Sequence, residues 1–423
     1  MLQNRVLMGV PHISPRKLLR FLGGTIQENA MRYILQQTCL KGGSMEEQRA
    51  IQLLQEVMAI PSVNGRDEEG KVAEYLCAYF QNAGISAAVE RIDETHANVT
   101  AVLEGDPEGG RMIWNGHLDT VPYGAREDWD TDPALPVTEG KILYGRGASD
   151  MKSGLCAMVY ALCEYKRSGK RPACSVLFLG TCDEEKGGLG AERVCQKGEN
   201  RGYSQYLIGE PTGLRLGMAQ KGCIWLELSL HGKTSHGAYP EQGVSGVEHG
   251  IFIAHQLKAW VETFSHPLLG NSTANITQIS GGTACNMIPE RCDILMDIRI
   301  TPGVSVEDVT KKAEELIAEE QRKTEGLLQV EYQLKNNRRA IEAAEDAPMV
   351  RKLKACMEKE GILPKATGIS FFTDASIMVR DQPEAQVLLF GPGEPSMAHK
   401  PNEWVDLDHY RKAIRVLERF LEE

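Results

Sequence analysis

The stretch Trp114–Gly124, WNGHLDTVPYG, closes an apolar run and begins a turn. It places His117 and Asp119 two positions apart at the predicted end of a β-strand, where residues i and i+2 point to the same side. A metal-binding histidine usually has its second ring nitrogen held by a neighbouring acceptor. Alone, such a pair is more often an ordinary hydrogen-bonded pair, so a metal interpretation depends on the rest of the chain.

Four further loops carry acidic residues or a histidine near the end of a predicted strand or the start of a helix. They are LYGRGASDMKSG with Asp150, LFLGTCDEEKGG with Glu184 and Glu185, LIGEPTG with Glu210, and FGPGEPSMAHKPNEWV with His399. In open α/β sheets, ligands bind outside the carboxyl ends of the strands. We therefore expect all five loops to meet at one edge of a sheet.

The side chains in these loops favour a metal centre without cysteine. Imidazole and carboxylate ligands suit Zn²⁺, with Co²⁺ or Mn²⁺ as substitutes. Two cations about 3.5–4 Å apart need one bridging ligand and private ligands for each. The adjacent Glu184 and Glu185 fit a division in which one binds metal and the other acts as a base. The sequence thus favours a site for two zinc ions.

The composition excludes several other classes of protein. The 423 residues carry a net charge of −11, which argues against a nucleic-acid partner because such proteins need a basic face. The eleven cysteines form no C-x-x-C pair and lie mostly in apolar segments, a pattern typical of free thiols in a reducing compartment. No apolar run is long enough for a membrane span. We expect a cytoplasmic protein without membrane partners.

From Met45 onwards, apolar residues alternate between helical and strand spacing, which predicts an α/β domain with a central, mostly parallel sheet. Residues 214–336 instead follow a β-α-β-β-α-β pattern, which predicts a ferredoxin-like inserted domain. The larger domain is then discontinuous and comprises residues 45–213 and 337–423. This gives a two-domain fold.

Residues 1–44 have a separate interpretation. They lack the apolar core of a secretory signal. Met45 opens an amphipathic helix with Glu46 and Glu47 in its first turn. We expect Met45 to be the native start and residues 1–44 to be an N-terminal extension that is not native. The alternative is a genuine amphipathic extension.

Eight motifs occur in the order found in one known family. They are HLDTVP, YGRGASDMKSG, the tandem glutamates, GEPTG, KTSHGAYPEQG, NMIPE, MDIR and AHKPNEWV. From Met45 to the C-terminus, the chain resembles the M20 metallopeptidase and deacylase family. That family includes acetylornithine deacetylases, succinyl-diaminopimelate desuccinylases, aminoacylases and glutamate carboxypeptidases, and it has a zinc-peptidase-like catalytic domain. The chain departs from it at Met151, where many relatives have a second aspartate outside the ligand positions.

The resemblance implies a metal role for each matching residue. His117 and Glu210 resemble the ligands of the first zinc ion. Glu185 and His399 resemble those of the second. Asp150 resembles the carboxylate that bridges the two ions.

The resemblance also implies the catalytic roles around these ligands. Glu184 resembles the general base that deprotonates the bridging water. Asp119 resembles the partner that orients His117. Family members often have a cis peptide bond after the bridging aspartate, so we expect one at Asp150–Met151.

In the inserted domain, which the family uses as a lid and for dimerisation, further positions match substrate-binding residues. His236 resembles the histidine that stabilises the developing oxyanion, often across a dimer. Asn286 and Arg299 resemble the groups that hold the substrate carboxylate. Thr373 and Asp374, from the last segment of the chain, resemble a loop that faces the substrate.

The resemblance therefore implies a di-zinc amidohydrolase that removes the N-acyl group from an amino acid with a free carboxylate. The expected partners are a small-molecule N-acyl amino acid or short peptide and a second copy of the chain. A di- or carboxypeptidase on the same site is the main alternative. A non-catalytic binding protein is a remote one, because all the ligands and the base are present.

Overall fold

The computed structural model describes residues 44–423. The proposed extension lies outside these described residues except for Ser44, so its origin stays a prediction. The chain forms two compact units. The first contains the described residues up to Met218 together with Ala343–Ala366 and Asp381–Glu423, and the second contains Ala219–Glu342 and Thr367–Arg380.

The described residues form nine α-helices and twenty β-strands. The helices are α1 Met45–Met58, α2 Gly70–Asn82, α3 Lys152–Arg167, α4 Leu189–Lys197, α5 Gly246–Val261, α6 Val306–Lys323, α7 Pro348–Lys359, α8 Ala375–Met378 and α9 Leu407–Glu422. The strands are β1 Ser86–Arg91, β2 Ala97–Leu103, β3 Arg111–His117, β4 Val137–Glu139, β5 Ile142–Tyr144, β6 Ser175–Thr181, β7 Gln205–Ile208, β8 Leu216–Gln220, β9 Gly222–His231, β10 Ser235–His236, β11 Ser265–His266, β12 Gly270–Asn271, β13 Thr273–Gly281, β14 Met287–Ile288, β15 Arg291–Ile300, β16 Gln329–Arg338, β17 Ile341–Glu342, β18 Ala366–Ile369, β19 Gln386–Leu389 and β20 Trp404–Asp406.

A mixed sheet forms the centre of the first unit. Its strands follow the order β1-β2-β6-β3-β7-β19, after which β19 contacts the start of β8. The pairs β6–β3, β3–β7 and β7–β19 are parallel, whereas β1–β2, β2–β6 and β19–β8 are antiparallel. The predicted α/β class is confirmed, but the sheet is mixed rather than mostly parallel. The short turn between β1 and β2 is one reason, because only antiparallel neighbours can be joined so closely.

Helix α3 packs closely against the end of β7. A Cβ atom added to Gly154 would lie 1.6 Å from the carbonyl oxygen of Gly209, so only glycine permits this approach. Gly154 lies one turn after Asp150, and Gly209 directly precedes Glu210. The contact therefore brings two of the predicted ligands together.

The second unit is a four-stranded antiparallel sheet covered by two helices. The strand order is β13-β15-β9-β16, and α5 and α6 pack against each other and against this sheet. In β9, Ile224, Leu226, Leu228 and Leu230 are buried while the residues between them are partly exposed. This is the ferredoxin-like order predicted for the insert.

The structure places the boundaries of the second unit a few residues from those expected. They fall after Met218 and after Glu342 rather than after residues 213 and 336. Ala219 and Glu342 are direct partners in the antiparallel pair of β8 and β17. The chain therefore enters and leaves this unit at adjacent positions.

A separate segment, Thr367–Arg380, also groups with the second unit, although the sequence pattern assigned it to the catalytic domain. Its backbone is bound to the residue between β8 and β9, because the Lys221 N–H donates to the Ile369 carbonyl oxygen at 3.2 Å. The Thr373 hydroxyl donates to the Gln220 side chain at 2.8 Å. These hydrogen bonds link residues far apart in sequence, so local periodicity gives no sign of them.

The cysteines have the form that the sequence predicted. The ten cysteines among the described residues are all free thiols, and eight of them are buried. Within residues 44–423, no helix is long and apolar enough to cross a membrane. The cytoplasmic location stays a prediction.

The buried face of β9 gives a stability prediction. Leu228→Ala should lower the free energy of unfolding by about 2–5 kcal/mol, because it leaves a cavity between the sheet and its helices. Leu327→Ala, at a position that is 53% exposed, should change it by less than about 0.5 kcal/mol. Urea denaturation measures both, and equal effects would contradict the assigned core.

Candidate metal centre

Among residues 44–423, two sets of potential metal ligands occur, and both lie in the first unit. His117, Asp150 and Glu210 form one set, and Asp150, Glu185 and His399 form the other. Within each set, the ligand atoms all lie within 4.8 Å of one another. Asp150 belongs to both sets, so this arrangement can hold two cations with one shared carboxylate.

The strand order explains why these residues meet. His117 is the last residue of β3, Glu185 follows β6, Glu210 follows β7, and His399 lies between β19 and β20. The strands β6, β3, β7 and β19 are parallel neighbours, so their carboxyl ends share one edge. Asp150 reaches the same edge two residues before α3.

His117 is buried, and both of its ring nitrogens have neighbours. Nε2 lies 3.2 Å from Oδ1 of Asp150. Nδ1 lies 3.0 Å from the backbone carbonyl oxygen of Asp119 and 3.6 Å from Oδ1 of the same residue. A proton on Nδ1 satisfies the carbonyl and leaves the lone pair of Nε2 for a metal.

The carboxylate of Asp119 mainly holds the tandem glutamates. The Glu184 N–H donates to Oδ1 at 3.2 Å, and the Glu185 N–H donates to Oδ2 at 3.1 Å. Asn64 donates to Oδ2 at 3.2 Å. The same carboxylate lies 3.6 Å from Nδ1 of His117, and its role in orienting that imidazole stays a prediction. Its hydrogen bonds also fix the backbone of the glutamate pair.

The side chains of the second ligand set shift each other's pKa values. Nε2 of His399 lies 2.9 Å from Oε2 of Glu185 and 3.5 Å from Oδ2 of Asp150. The hydrogen bond to Glu185 raises the pKa of His399. Burial, and then the nearby Asp150 charge, raise the pKa of Glu185. A bound cation would reverse both shifts, since it favours ionised carboxylates and neutral imidazole.

The residues present fit divalent cations of the zinc type. The two sets offer imidazole nitrogens and carboxylate oxygens and no thiolate. Oε1 of Glu185 is buried and has no hydrogen-bond partner among the described residues. A buried carboxylate oxygen without a partner is costly, and a metal ion would remove that cost.

The turn that carries Glu184 and Glu185 is held by Asn64 and Glu69, two residues that the sequence patterns did not indicate. Asp183 adopts a left-handed conformation with φ of 62°. Its N–H donates to Oε2 of Glu69 at 2.8 Å, and its Oδ1 accepts from Asn64 at 2.9 Å. Burial, and then the Asp119 charge, raise the pKa of Glu69 to about 9. Asn64 and Glu69 lie between α1 and α2, where the sequence suggests only a polar loop.

Met151 takes part in the site through its backbone and its sulfur atom. The peptide bond Asp150–Met151 is cis, which confirms the expectation from the family resemblance. The Met151 side chain is buried, and its sulfur accepts the N–H of His117 at 3.2 Å. The methionine side chain therefore contacts the backbone of the ligand His117.

The predicted substrate-binding residues lie in the second unit. His236 and Asn286 are brought together because the Gly237 N–H donates to the Asn286 carbonyl at 2.7 Å. Both side chains are exposed. Arg299 makes two parallel hydrogen bonds to Asp297, at 2.8 and 2.9 Å. In this structure its guanidinium already has a carboxylate partner.

Thr373 and Asp374 are buried in the second unit. Thr373 uses its hydroxyl to bind the Gln220 side chain and to accept the N–H of Ala375. These contacts fix the segment Thr367–Arg380 in place. A direct contact of either residue with a substrate stays a prediction, as do the roles of the other residues in this unit.

Two ligand sets at one edge of a mixed α/β sheet are the arrangement expected of a metal-dependent hydrolase. The sequence profile of peptidase family M20/M25/M40 matches residues 113–423, well over half of the chain. The chain belongs to this family, as its motifs predicted. It is therefore an amidohydrolase or peptidase.

Relatives of the chain include both deacylases and peptidases. It is 26% identical over 407 residues to a probable succinyl-diaminopimelate desuccinylase of Staphylococcus aureus, covering 88% of this chain and 97% of the relative. It is 28% identical over 372 residues to an acetylornithine deacetylase of Vibrio cholerae, with 86% and 94% covered.

Among solved structures, the fold is similar to that of the aminopeptidase PepT from Bacillus cereus. The TM-score is 0.70 at 19% identity, and the match covers 89% of this chain and 98% of the other. An M20 family metallo-carboxypeptidase from Sulfolobus solfataricus gives a TM-score of 0.69 at 20% identity, with 88% and 98% covered. These similarities establish the fold.

The shared position of Asp150 gives a prediction for metal content. Asp150→Asn should lose both bound ions, whereas His399→Ala should lose only one, because His399 belongs to a single ligand set. Elemental analysis of the dialysed proteins measures the ratio. His231→Ala, at an exposed position of the second unit, is the control with unchanged content. Two ions retained by Asp150→Asn would contradict the sharing.

Proposed function

We propose that this protein is a di-zinc amidohydrolase that removes the N-acyl group from an amino acid with a free carboxylate. The observation that carries the proposal is the single buried Asp150 common to two ligand sets, next to the tandem glutamates. The relatives named as a desuccinylase and a deacetylase support this choice of substrate. Co²⁺ or Mn²⁺ would be able to replace zinc at ligands of this type.

Two divalent cations, when bound, lower the pKa of water and polarise the amide carbonyl. Glu184 is buried directly beside the ligand Glu185, and Asp119 holds its backbone. In the proposal, its carboxylate takes a proton from the attacking water and passes it to the leaving nitrogen. The neighbouring Glu185 serves as a ligand, so the two adjacent glutamates have separate tasks.

The proposal also gives three residues outside the metal centre a role in substrate binding. His236 donates a hydrogen bond to the carbonyl oxygen as negative charge develops there. Arg299 and Asn286 bind the free carboxylate, and Arg299 can do so through two parallel hydrogen bonds. Its pairing with Asp297 keeps the guanidinium in a fixed orientation before substrate arrives.

A peptidase is the second candidate, because the similar solved structures include an aminopeptidase and a carboxypeptidase. A substrate screen with Zn²⁺- or Co²⁺-loaded protein separates the candidates. The panel contains N-acetylornithine, N-succinyl-diaminopimelate, other N-acyl amino acids and dipeptides. We expect turnover of N-acyl amino acids. Turnover of dipeptides alone would favour the second candidate, and no turnover of any compound would contradict both.

Removal of the proposed base should separate chemistry from metal binding. We expect Glu184→Gln to lower kcat by about 10²- to 10⁴-fold, because the amide cannot accept the proton. Metal content should stay at the wild-type level. Steady-state kinetics and elemental analysis test this, with Glu139→Gln, at an exposed position of β4, as the control. A Glu184→Gln enzyme as fast as the wild type would exclude this mechanism.

The second unit also offers a surface for a homodimer. The edge strand β13, TANITQISG, has no charged residue and no proline, whereas the opposite edge strand β16 carries charges that discourage pairing. Ile279 of β13 is 51% exposed. On α5, which packs against β13, Ile251 and Phe252 are also exposed. We propose that two copies of the chain associate through this edge.

A charge placed on this edge should prevent association. Ile279→Lys is expected to give a monomer, because an unpaired ammonium would be buried between the two copies. Analytical ultracentrifugation measures the mass. Leu363→Lys, at a position of the first unit that is 85% exposed, should remain a dimer. A monomeric wild-type protein would remove the proposed interface.

A further inference from the structure

Arg146 and Glu403 form a buried ion pair behind the ligand loops. An Nη atom of Arg146 lies 2.7 Å from Oε2 of Glu403, and the two side chains are 3% and 0% exposed. Arg146 precedes Asp150 by four residues, and Glu403 follows His399 by four. Burying two charges is costly unless both are well hydrogen-bonded. The other contacts of the pair therefore show what it holds in place.

Glu403 binds the backbone of the loop that carries the shared ligand. Its Oε1 accepts the N–H groups of Ser149 at 2.7 Å and of Asp150 itself at 2.9 Å. Its Oε2 accepts the N–H of Gly147 at 3.0 Å. The carbonyl oxygen of Glu403 accepts the N–H of Gly145, also at 3.0 Å. One residue thus fixes the path of this loop up to the ligand.

Arg146 extends the same connection to two other ligand loops. It donates to the carbonyl oxygen of Lys400, the residue after His399, at 3.2 Å. Its second terminal nitrogen donates to the carbonyl oxygen of Pro122, in the loop that follows β3, at 3.2 Å. The ring of Trp129 lies over the guanidinium at 5.1 Å from the ring centroid. The guanidinium therefore joins three of the five ligand loops.

We propose that Arg146 and Glu403 are positioning residues that set the relative placement of these three loops and so the affinity for both metal ions. This inference rests on the proposed two-metal function. Asp150 serves both ligand sets, so a shift of its backbone changes both sites together. Mutation of a residue that holds metal ligands in position typically lowers metal affinity by about 10- to 100-fold.

Two conservative substitutions separate positioning from charge balance. Arg146→Lys keeps the positive charge, but one ammonium group cannot replace a planar fork that reaches Glu403, Lys400 and Pro122. Glu403→Gln keeps the shape of the side chain, but its amide NH₂ is a donor and would face N–H groups that the carboxylate accepts. If the ion pair positions the ligand loops, both variants should lose affinity for metal ions. Charge balance alone predicts that Arg146→Lys behaves like the wild type.

The experiment uses the full-length chain, prepared metal-free and titrated calorimetrically with Zn²⁺. We expect both variants to bind both ions about 10- to 100-fold more weakly than the wild type. The absorption spectrum of the Co²⁺-loaded proteins should also change. Glu56→Gln is the matched control, because Glu56 is another buried carboxylate of the first unit, bound to Tyr75 and Gln52. It should keep the wild-type metal affinity and spectrum.

Wild-type affinity and Co²⁺ spectrum in the variants, with only a lower melting temperature, would overturn the inference and leave the ion pair a purely structural role. A wild-type protein that binds no metal would instead overturn the proposed function. If neither variant folds, the Trp129→Leu variant tests the inference, because it removes the stacked ring and keeps both ion-pair partners. Unchanged metal affinity in that folded variant would also count against the inference.

Discussion

Negative charge buried at one edge of the central sheet is the constraint on which the first unit depends. Asp119, Asp150 and Glu210 are nearly inaccessible to solvent, and the Glu185 side chain is only 6% exposed. Carboxylates in such surroundings need donors or cations. Backbone N–H groups, imidazoles and Asn64 supply part of what they need, and the proposed metal ions supply the rest. The surrounding loops fix the positions of these donors and carboxylates.

The parts of this arrangement that the sequence predicted are those with a local signal. Helix and strand periodicity located the α/β unit and the ferredoxin-like insert, and the motifs marked the ligand loops. Strand direction has no such signal, so the antiparallel flanks β1–β2 and β19–β8 were missed. The segment Thr367–Arg380 was assigned to the wrong side of a boundary because hydrogen bonds to distant residues fix its place.

The same limit applies within the site. β3 ends at His117, so strand alternation does not reach Asp119, and the hydrogen bonds that its carboxylate accepts from Glu184 and Glu185 have no signal in the strand pattern. Arg146 carries no signal of its own within the motif YGRGASDMKSG. Its importance depends on Glu403, which is 257 residues away in sequence. A partner at that distance is not visible in any local pattern.

The position of β19 has a consequence for the order in which the protein can fold during synthesis. This strand lies between β7 and β8, although it comes from residues 386–389 and they come from the first 220 residues. A ribosome releases β7 and β8 long before the strand that separates them. The edge of β7 that β19 covers therefore has no native partner until nearly all of the protein has been made.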